Sequence, residues 1–225
     1  MSGVAVVSGA SRGIGLAIAQ HLARRGMRVA MLAPLSSRLE QAAETLGGAG
    51  VAVDCDVSLA DSVDTARAHI ERTLGTPTVV IANAGIVRRA PVHELSVADF
   101  DEIIAVNLRG TFLLARAFVG AMRAAGRGRF VAIASISSTL GTANASAYNA
   151  SKWGVVGFVK SLAEELRGTG VQALALNPGA VDTDMLRGSP YAAQMSPDDV
   201  AKLALFAALD APDAMNGAAI DIFGP

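Results

Sequence analysis

Short apolar runs alternate with longer stretches of helical period from one end of the chain to the other. Residues 4–8 predict a strand and residues 14–25 the helix after it. Residues 28–33 predict a second strand, and Ser37-Arg38-Leu39-Glu40 carries a capping signal for the helix that follows. Residues 51–54 read as a strand, with Ser58 as the expected cap of a helix running to about residue 74. A strand at 78–81 leads into one long helical stretch over 98–125, stopped by Gly126-Arg127-Gly128. A strand at 129–134 precedes a helix that runs to about residue 167, and 171–176 is again a strand. Ser196-Pro197-Asp198-Asp199 opens a last helix, with proline in a first-turn position it tolerates, and 218–222 is a short final strand.

Seven strands separated mostly by helical crossovers predict a doubly wound α/β architecture, a parallel sheet with helices on both faces. Near-continuous apolar strands such as 130–134 suit a sheet covered on both sides. No linker, repeat or low-complexity tract breaks the pattern, so a single domain over residues 1–225 is expected. A hydrophobic fraction of 52% against 17% charged residues supplies a large core and argues against disorder. The net charge of −1 argues against a nucleic-acid surface. Cys55 is the only cysteine, and His21, His69 and His93 have no ligand spacing, so no metal site is expected. No basic, apolar leader is visible, and no apolar run approaches the ~18 residues that span a bilayer. A cytoplasmic protein without membrane contact is the expectation.

Tyr148 and Lys152 lie one helical turn apart on one face, with Ser135 thirteen residues upstream of the tyrosine. A phenol with a pKa of about 10 is a poor proton shuttle at neutral pH. A nearby ammonium favours the phenolate, and a hydroxyl beside it can hold a substrate oxygen, which together suit carbinol–carbonyl chemistry. Two tyrosines and three lysines give only ~0.03 accidental matches to Tyr-x-x-x-Lys. A surface pair on a helix is the bland alternative.

The first predicted strand runs into Ser8-Gly9-Ala10-Ser11-Arg12-Gly13-Ile14-Gly15. Gly9, Gly13 and Gly15 permit a tight strand-to-helix turn, and the helix start offers free N–H groups to a pyrophosphate. The position of this loop, after the first strand and before the first helix, is the context a dinucleotide site requires.

In this ordered set the chain resembles the short-chain dehydrogenase/reductase family over essentially its whole length. Gly9, Gly13 and Gly15 match the family's cofactor loop, Asn83-Ala84-Gly85 its Asn-Ala-Gly motif, and Asn107 its fourth catalytic position. Ser135, Tyr148 and Lys152 match the other three, and Asn177-Pro178-Gly179 with Thr183 matches the segment closing over the nicotinamide. Ser137 and Ser138 compete for the catalytic serine; spacing from the strand and from Tyr148 favours Ser135.

The resemblance implies a Rossmann-type domain that interconverts a secondary alcohol and a ketone with NAD(P). Tyr148 would be the acid/base, Lys152 would lower its pKa and hold the nicotinamide ribose, and Ser135 would polarise the substrate oxygen. Asn107 would hold a water in a proton relay to Lys152. The implied cofactor contacts are Gly9, Ser11, Arg12, Gly13, Ile14, Gly15, Asp56, Val57, Asn83, Ala84, Gly85, Tyr148, Lys152, Pro178, Gly179, Val181 and Thr183. For Asp56 a helix cap, for Asn83 a loop cap and for Asn107 bonding to its own helix are the structural alternatives. Homodimers or homotetramers are expected, and residues 154–158 fit either a subunit interface or the core.

An acid at the end of the second strand, which would bond the adenosine ribose of NAD, is replaced by Ala33. Arg12, with Ser36, Ser37 and Arg38, favours NADP(H), whereas Pro34 occupies a place where many NADP enzymes carry arginine; NAD(H) stays open. The chain is short for the family between Thr183 and the last helix, which predicts an open pocket or one walled by a neighbouring subunit. Val87, Arg88, Arg89, Thr142, Ala143, Asn144, Met185 and Tyr191 are candidate pocket residues, with Arg88 and Arg89 read as a solvated charge pair. A catalytically silent scaffold of the same fold, or a related epimerase or dehydratase, is the alternative function. The four intact catalytic positions weigh against the scaffold, and the Asn-Ala-Gly motif and small size against the epimerase or dehydratase.

Overall fold

A computed structural model describes residues 3–224. Its strands are β1 (Val4–Ser8), β2 (Arg28–Ala33), β3 (Gly50–Asp54), β4 (Val79–Ala82), β5 (Gly128–Ile133), β6 (Val171–Pro178) and β7 (Ala219–Ile222). They form one sheet in the order β3-β2-β1-β4-β5-β6-β7, every neighbouring pair parallel. The helices are α1 (Gly13–Arg24), α2 (Ser37–Glu44), α3 (Ala60–Thr73), α4 (Val97–Ile104), α5 (Gly110–Ala124), α6 (Ser146–Glu165) and α7 (Pro197–Leu205). The doubly wound α/β architecture is the one the pattern predicts.

Alternation along each strand feeds two cores. Val4 and Val6 of β1 join one layer with Ile70 of α3, Phe118 of α5 and Val159 of α6. Ala5 and Val7 join the other with Ile18 and Leu22 of α1, Leu39 of α2 and Ala204 of α7. Because β1 lies between β2 and β4, the chain reverses its direction of travel across the sheet there. The resulting crevice at the strands' carboxyl ends is where open α/β sheets place a ligand.

A buried hydroxyl fixes that crevice. Ser8 Oγ accepts hydrogen bonds from the backbone N–H groups of Asn83 and Ala84, each at 3.0 Å, and donates to the Ile81 carbonyl at 3.4 Å. The Asn83 amide donates back to the Ser8 and Gly9 carbonyls, at 2.9 and 3.3 Å. The ends of β1 and β4 are thus knotted together beside the glycine loop.

Several local expectations change. The stretch expected as one long helix is helical from Val97 to Ala124, but Ala105–Arg109 forms a π turn inside it. Such turns insert a residue into the helical ladder and occur often at functional sites, and this one contains Asn107. The cap of α2 is Ser36, not Ser37, its Oγ accepting from Leu39 N–H. Ser58 does not cap α3, which starts after Leu59 without a side-chain cap. The Ser58 hydroxyl donates instead to Asp56 at 2.7 Å. Strand β6 runs two residues further than its apolar run, because Asn177 and Pro178 pair with Asp221 and Ile222 of β7. At α7 the expected start holds, with Ser196 and Asp199 capping each other reciprocally.

The expectation on apolar length is also corrected. The helix Val97–Ala124 is long and apolar enough to cross a membrane by length and composition, and half of its most apolar window is buried in the fold. The short segment after Thr183 is tied down. Met195 pairs in parallel with Val181 and packs with Val200, and Asp182 N–H donates to the Met195 carbonyl at 2.9 Å.

Candidate active site

The carboxyl end of β5, the start of α6 and the π turn converge on one point. Ser135 follows β5 in extended backbone, and its Oγ accepts from the Ser137 N–H at 3.1 Å. That bond occupies an acceptor lone pair and leaves the hydroxyl proton free, and Ser135 stands close enough to the Tyr148 phenol to lower its pKa. The Ser138 hydroxyl instead donates to the Ser135 carbonyl at 2.6 Å. Of the three serines, Ser135 is the one that meets the phenol.

Lys152, one turn beyond Tyr148, is buried, with 4% of its surface exposed. Its ammonium donates to the Ile133 carbonyl at 2.8 Å and lies 5.7 Å from the centre of the Tyr148 ring. The expectation that Lys152 lowers the phenol's pKa is not met in this structure. Burial pushes the Tyr148 phenol above its ordinary value, against smaller lowering effects from the Ser135 hydroxyl and the Arg89 charge. The same burial draws Lys152 down from 10.5 to about 8. At neutral pH Lys152 is still mostly protonated, but its ammonium is held by the Ile133 carbonyl, and burial of the phenol is the larger influence on Tyr148.

Asn107 does not bond its own helix through its side chain. Its Oδ1 accepts from Ile86 N–H at 2.8 Å, while its Nδ2 donates to the Ile86 carbonyl and to Ser151 Oγ, both at 3.0 Å. Both amide protons are therefore engaged, and a proton relay through this residue is confined to its oxygens. Gly85 allows this closeness: a Cβ there would stand 3.3 Å from Asn107 Oδ1 and 3.6 Å from Lys152 Nζ.

The glycine loop has the shape of an anion cradle. Gly9 and Gly13 have φ of +63° and +55°, and a Cβ on Gly15 would overlap the Gly9 carbonyl and come within 2.5 Å of the Asn83 amide nitrogen. Helix α1 begins after Arg12 with no side-chain cap and no acid in its first turn. By contrast α2, α4 and α7 are capped by Ser36, Ser96 and Ser196. Uncapped N–H groups at the positive end of a helix fit a pyrophosphate. Ser11 and Ile14 lie in this turn, and a Cβ on Gly13 would touch Thr183 Cγ2 at 3.3 Å, so the segment after β6 borders it.

Other expected contacts divide. Asp56 Oδ1 accepts from Ser58 N–H and Oγ, so this carboxylate braces the loop before α3. The Val57 side chain is buried against Gly110 and the Val181 side chain against Met195 and Val200; for these two only the backbone can face a ligand. Gly179 N–H donates to Ile222 at 2.8 Å, continuing the register of Pro178. Ala84 follows the Ser8 knot directly. Arg12 pairs with Asp184 at 3.0 Å, and Asp184 also holds Arg187 at 3.0 Å.

Sequence reasoning missed three participants. Ser8 is a lone hydroxyl ending an apolar strand just before the glycines, which was its signal. Ser151 precedes Lys152 and anchors Asn107. Asp54 stands beside Ala33 across the β2–β3 pair, and its carboxylate accepts from Leu35 N–H at 2.8 Å. Arg88 and Arg89 are both exposed, as the solvated reading has them, and Arg88 in addition pairs with Glu102 at 3.1 Å and Asp99 at 3.6 Å.

Comparison with known proteins agrees with this geometry. The family model for short chain dehydrogenases matches residues 3–192. D-threitol dehydrogenase of Mycolicibacterium smegmatis is 38% identical, with 98% of this chain and 91% of that protein aligned. The 3-oxoacyl-[acyl-carrier-protein] reductase FabG of Pseudomonas aeruginosa is 34% identical over 98% of this chain and 96% of its own length. Among solved structures, a putative gluconate dehydrogenase from Agrobacterium tumefaciens superposes with a TM-score of 0.91 at 30% identity, covering 97% of this chain and 93% of that one. A short-chain type dehydrogenase/reductase from Mycobacterium marinum gives 0.92 at 29% identity, covering 99% and 94%.

The depressed Lys152 pKa has a measurable consequence. The folded protein holds this proton less tightly than the unfolded chain, so burial of the ammonium opposes folding at neutral pH. That penalty fades as the pH rises from about 8 toward 10.5. Its size at pH 7 is on the order of 3 kcal/mol. In denaturant titrations without ligand, the wild type is expected to gain stability relative to Lys152→Met between pH 7 and pH 10. A difference independent of pH would show that the ammonium is not held down by burial.

Proposed function

Because the chain belongs to the short-chain dehydrogenase/reductase family, we propose that it is an NADP(H)-preferring oxidoreductase that interconverts a secondary alcohol and a ketone at Tyr148. The observation that carries this reading is the buried Lys152 ammonium 5.7 Å from the Tyr148 ring centre, with the buried Ser135 beside the phenol. When bound, the nicotinamide cofactor supplies or accepts the hydride. The protein's own part is to hold the reacting oxygen and move its proton. Ser135, with its proton unclaimed by the backbone, orients the substrate oxygen. Tyr148 carries its proton at neutral pH, since burial raises its pKa, and a protonated phenol is a donor. Asn107 fixes the turn at Ile86 behind Lys152, so that the ammonium keeps its place. Tyr148→Phe is expected to lower kcat by about 10²–10⁴-fold while NADPH still binds, as followed by fluorescence titration and by absorbance at 340 nm. Near-native turnover of that variant would remove Tyr148 from the mechanism.

The cofactor preference rests on Ala33, which puts no carboxylate at the end of β2, and on Arg12. The Arg12–Asp184 pair is largely in solvent, its side chains 60% and 40% exposed. Exposed pairs contribute about 0–1 kcal/mol, so a phosphate can recruit this guanidinium from Asp184. Asp54, beside Ala33, works in the opposite sense. The expected outcome is a higher kcat/KM with NADPH than with NADH, the gap narrowing in Arg12→Gln. Equal or better efficiency with NADH in the wild type would reverse the assignment.

A homodimer or homotetramer is part of the same proposal. Phe112 and Trp153 are 46% and 54% exposed on α5 and α6, and Phe158 meets Phe112 edge to face at 6.2 Å between ring centres. Of the residues open to either an interface or the core, Val155 is in the core, and Gly154 lies against Leu108. The aromatic face is the proposed subunit contact. Light scattering should give a multiple of the monomer mass that falls on Phe112→Asp substitution; a wild-type monomer would contradict it.

A further inference from the structure

The loop after β4 and the loop before α6 enclose a cleft of about 520 Å³, walled by Arg89, Pro91, Thr142, Asn144, Ser189 and Tyr191 among others. Arg89 is the only charged residue of that wall. Its neighbour Arg88 is turned outward onto two acids of α4, whereas Arg89 makes no ion pair among the described residues. The cleft's walls Thr142 and Asn144 lie in the loop that leads into α6, Asn144 four residues before Tyr148, and the Arg89 charge acts on the phenol, so the cleft and the proton-transfer point adjoin.

The backbone under Arg89 is held in place. Ala90 N–H donates to the Asn144 carbonyl at 2.9 Å, bridging the two walls. Asn144 has φ of +60°, the only positive φ outside glycine among the described residues. Asparagine tolerates this left-handed conformation better than most residues, yet it is sparsely populated and persists where surrounding structure enforces it. The chain thus holds a strained residue at the point where it fastens the loop bearing Arg89. The rest of the wall is neutral, with the Thr142, Ser189 and Tyr191 hydroxyls and the Asn144 amide as its side-chain hydrogen-bonding groups.

We propose that the substrate is a small oxo or hydroxy carboxylic acid, its carboxylate bound by Arg89 and its carbonyl or carbinol carbon lying at Tyr148. This rests on the oxidoreductase reading and adds to it the class of substrate. A guanidinium presents parallel N–H donors that match the two oxygens of a carboxylate, and Arg89, exposed at the cleft, has no acid of the described residues paired with it. The volume suits a small molecule, lying within the range of ordinary ligand pockets. Arg89 is a specificity residue here and has no share in the proton transfer. It holds one end of the substrate while Ser135 and Tyr148 hold the other.

The test compares 3-oxo and 4-oxo acids with their methyl esters in the wild type, Arg89→Gln and Arg89→Lys, each assayed with NADPH and with NADH. The wild type should favour the acids by at least tenfold in kcat/KM, mainly through KM. Arg89→Gln should erase that preference by raising KM for the acids at least tenfold, with the esters altered less than threefold, and Arg89→Lys should keep part of it. The ester arm separates binding of the carboxylate from any effect of the Arg89 charge on Tyr148, because that effect strikes acids and esters alike. Esters used as well as acids by the wild type, or equal losses on both in Arg89→Gln, would overturn the role of Arg89 and leave the oxidoreductase reading standing. No turnover of acids or esters with either cofactor would bring down both.

Discussion

Everything at the crevice is referred to one buried hydroxyl. Ser8 receives two N–H groups from the segment after β4, and Asn83 returns two bonds to the segment after β1. Without that exchange, the carboxyl ends of two parallel strands would diverge into independent loops with unpaired N–H groups in a buried place. A buried polar group left without a partner loses about 1–3 kcal/mol, so the knot has to be made whole or not at all. Once it is made, Gly9 and Gly15 are pressed against Asn83, and the first turn of α1 can take only one path. From the same segment Gly85 and Ile86 reach Asn107, and Asn107 reaches Ser151. The anion cradle and the proton-transfer group are therefore built on a single run of hydrogen bonds.

The site carries an electrostatic tension that the chain does not relieve. Lys152 is buried next to a carbonyl and an aromatic ring, with no carboxylate to balance it. Tyr148 is desolvated as well, and the two groups respond in opposite directions, the lysine losing its proton more readily and the phenol less readily. Burial thus brings both toward their neutral forms. Such displaced titrations tend to gather at functional sites rather than in structural cores.

Much of this was legible in the sequence, because the informative features are periodic or local. Seven apolar runs and their crossovers fix the sheet, and the glycine spacing fixes the loop, since few other residues can adopt those dihedrals or that closeness. Tyr148 and Lys152 are one turn apart, and a helix brings them together whatever surrounds it. What could not be read depends on contacts distant in sequence. The partners of Asn107 are twenty-one and forty-four residues away, and the brace between Ala90 and Asn144 joins two separate loops. Ser36 displaced Ser37 as a cap because a one-residue shift in a helix start leaves the pattern of apolar residues unchanged. Arg88 and Arg89 look alike in the sequence and diverge only because α4 presents Asp99 and Glu102 to one of them. The titration of the phenol depended on how burial and neighbouring charges balance, and a spacing rule contains no burial.

The π turn at Ala105–Arg109 has a consequence for how the helix around it can vary. One extra residue in a helix advances the direction of every later side chain by about 100°. The α4 part and the α5 part are thus out of phase, α4 packing against α6 and α5 against the sheet. Ile103 is buried on one side of the turn, and Leu114, Phe118 and Met122 on the other. Continuous in backbone, this helix behaves as two in its packing, with Asn107 at the dislocation between them. Loss of a single residue there would bring the two stripes back into register as one ordinary helix. The asparagine would then be carried away from Ile86, or the apolar side chains of α5 away from their core.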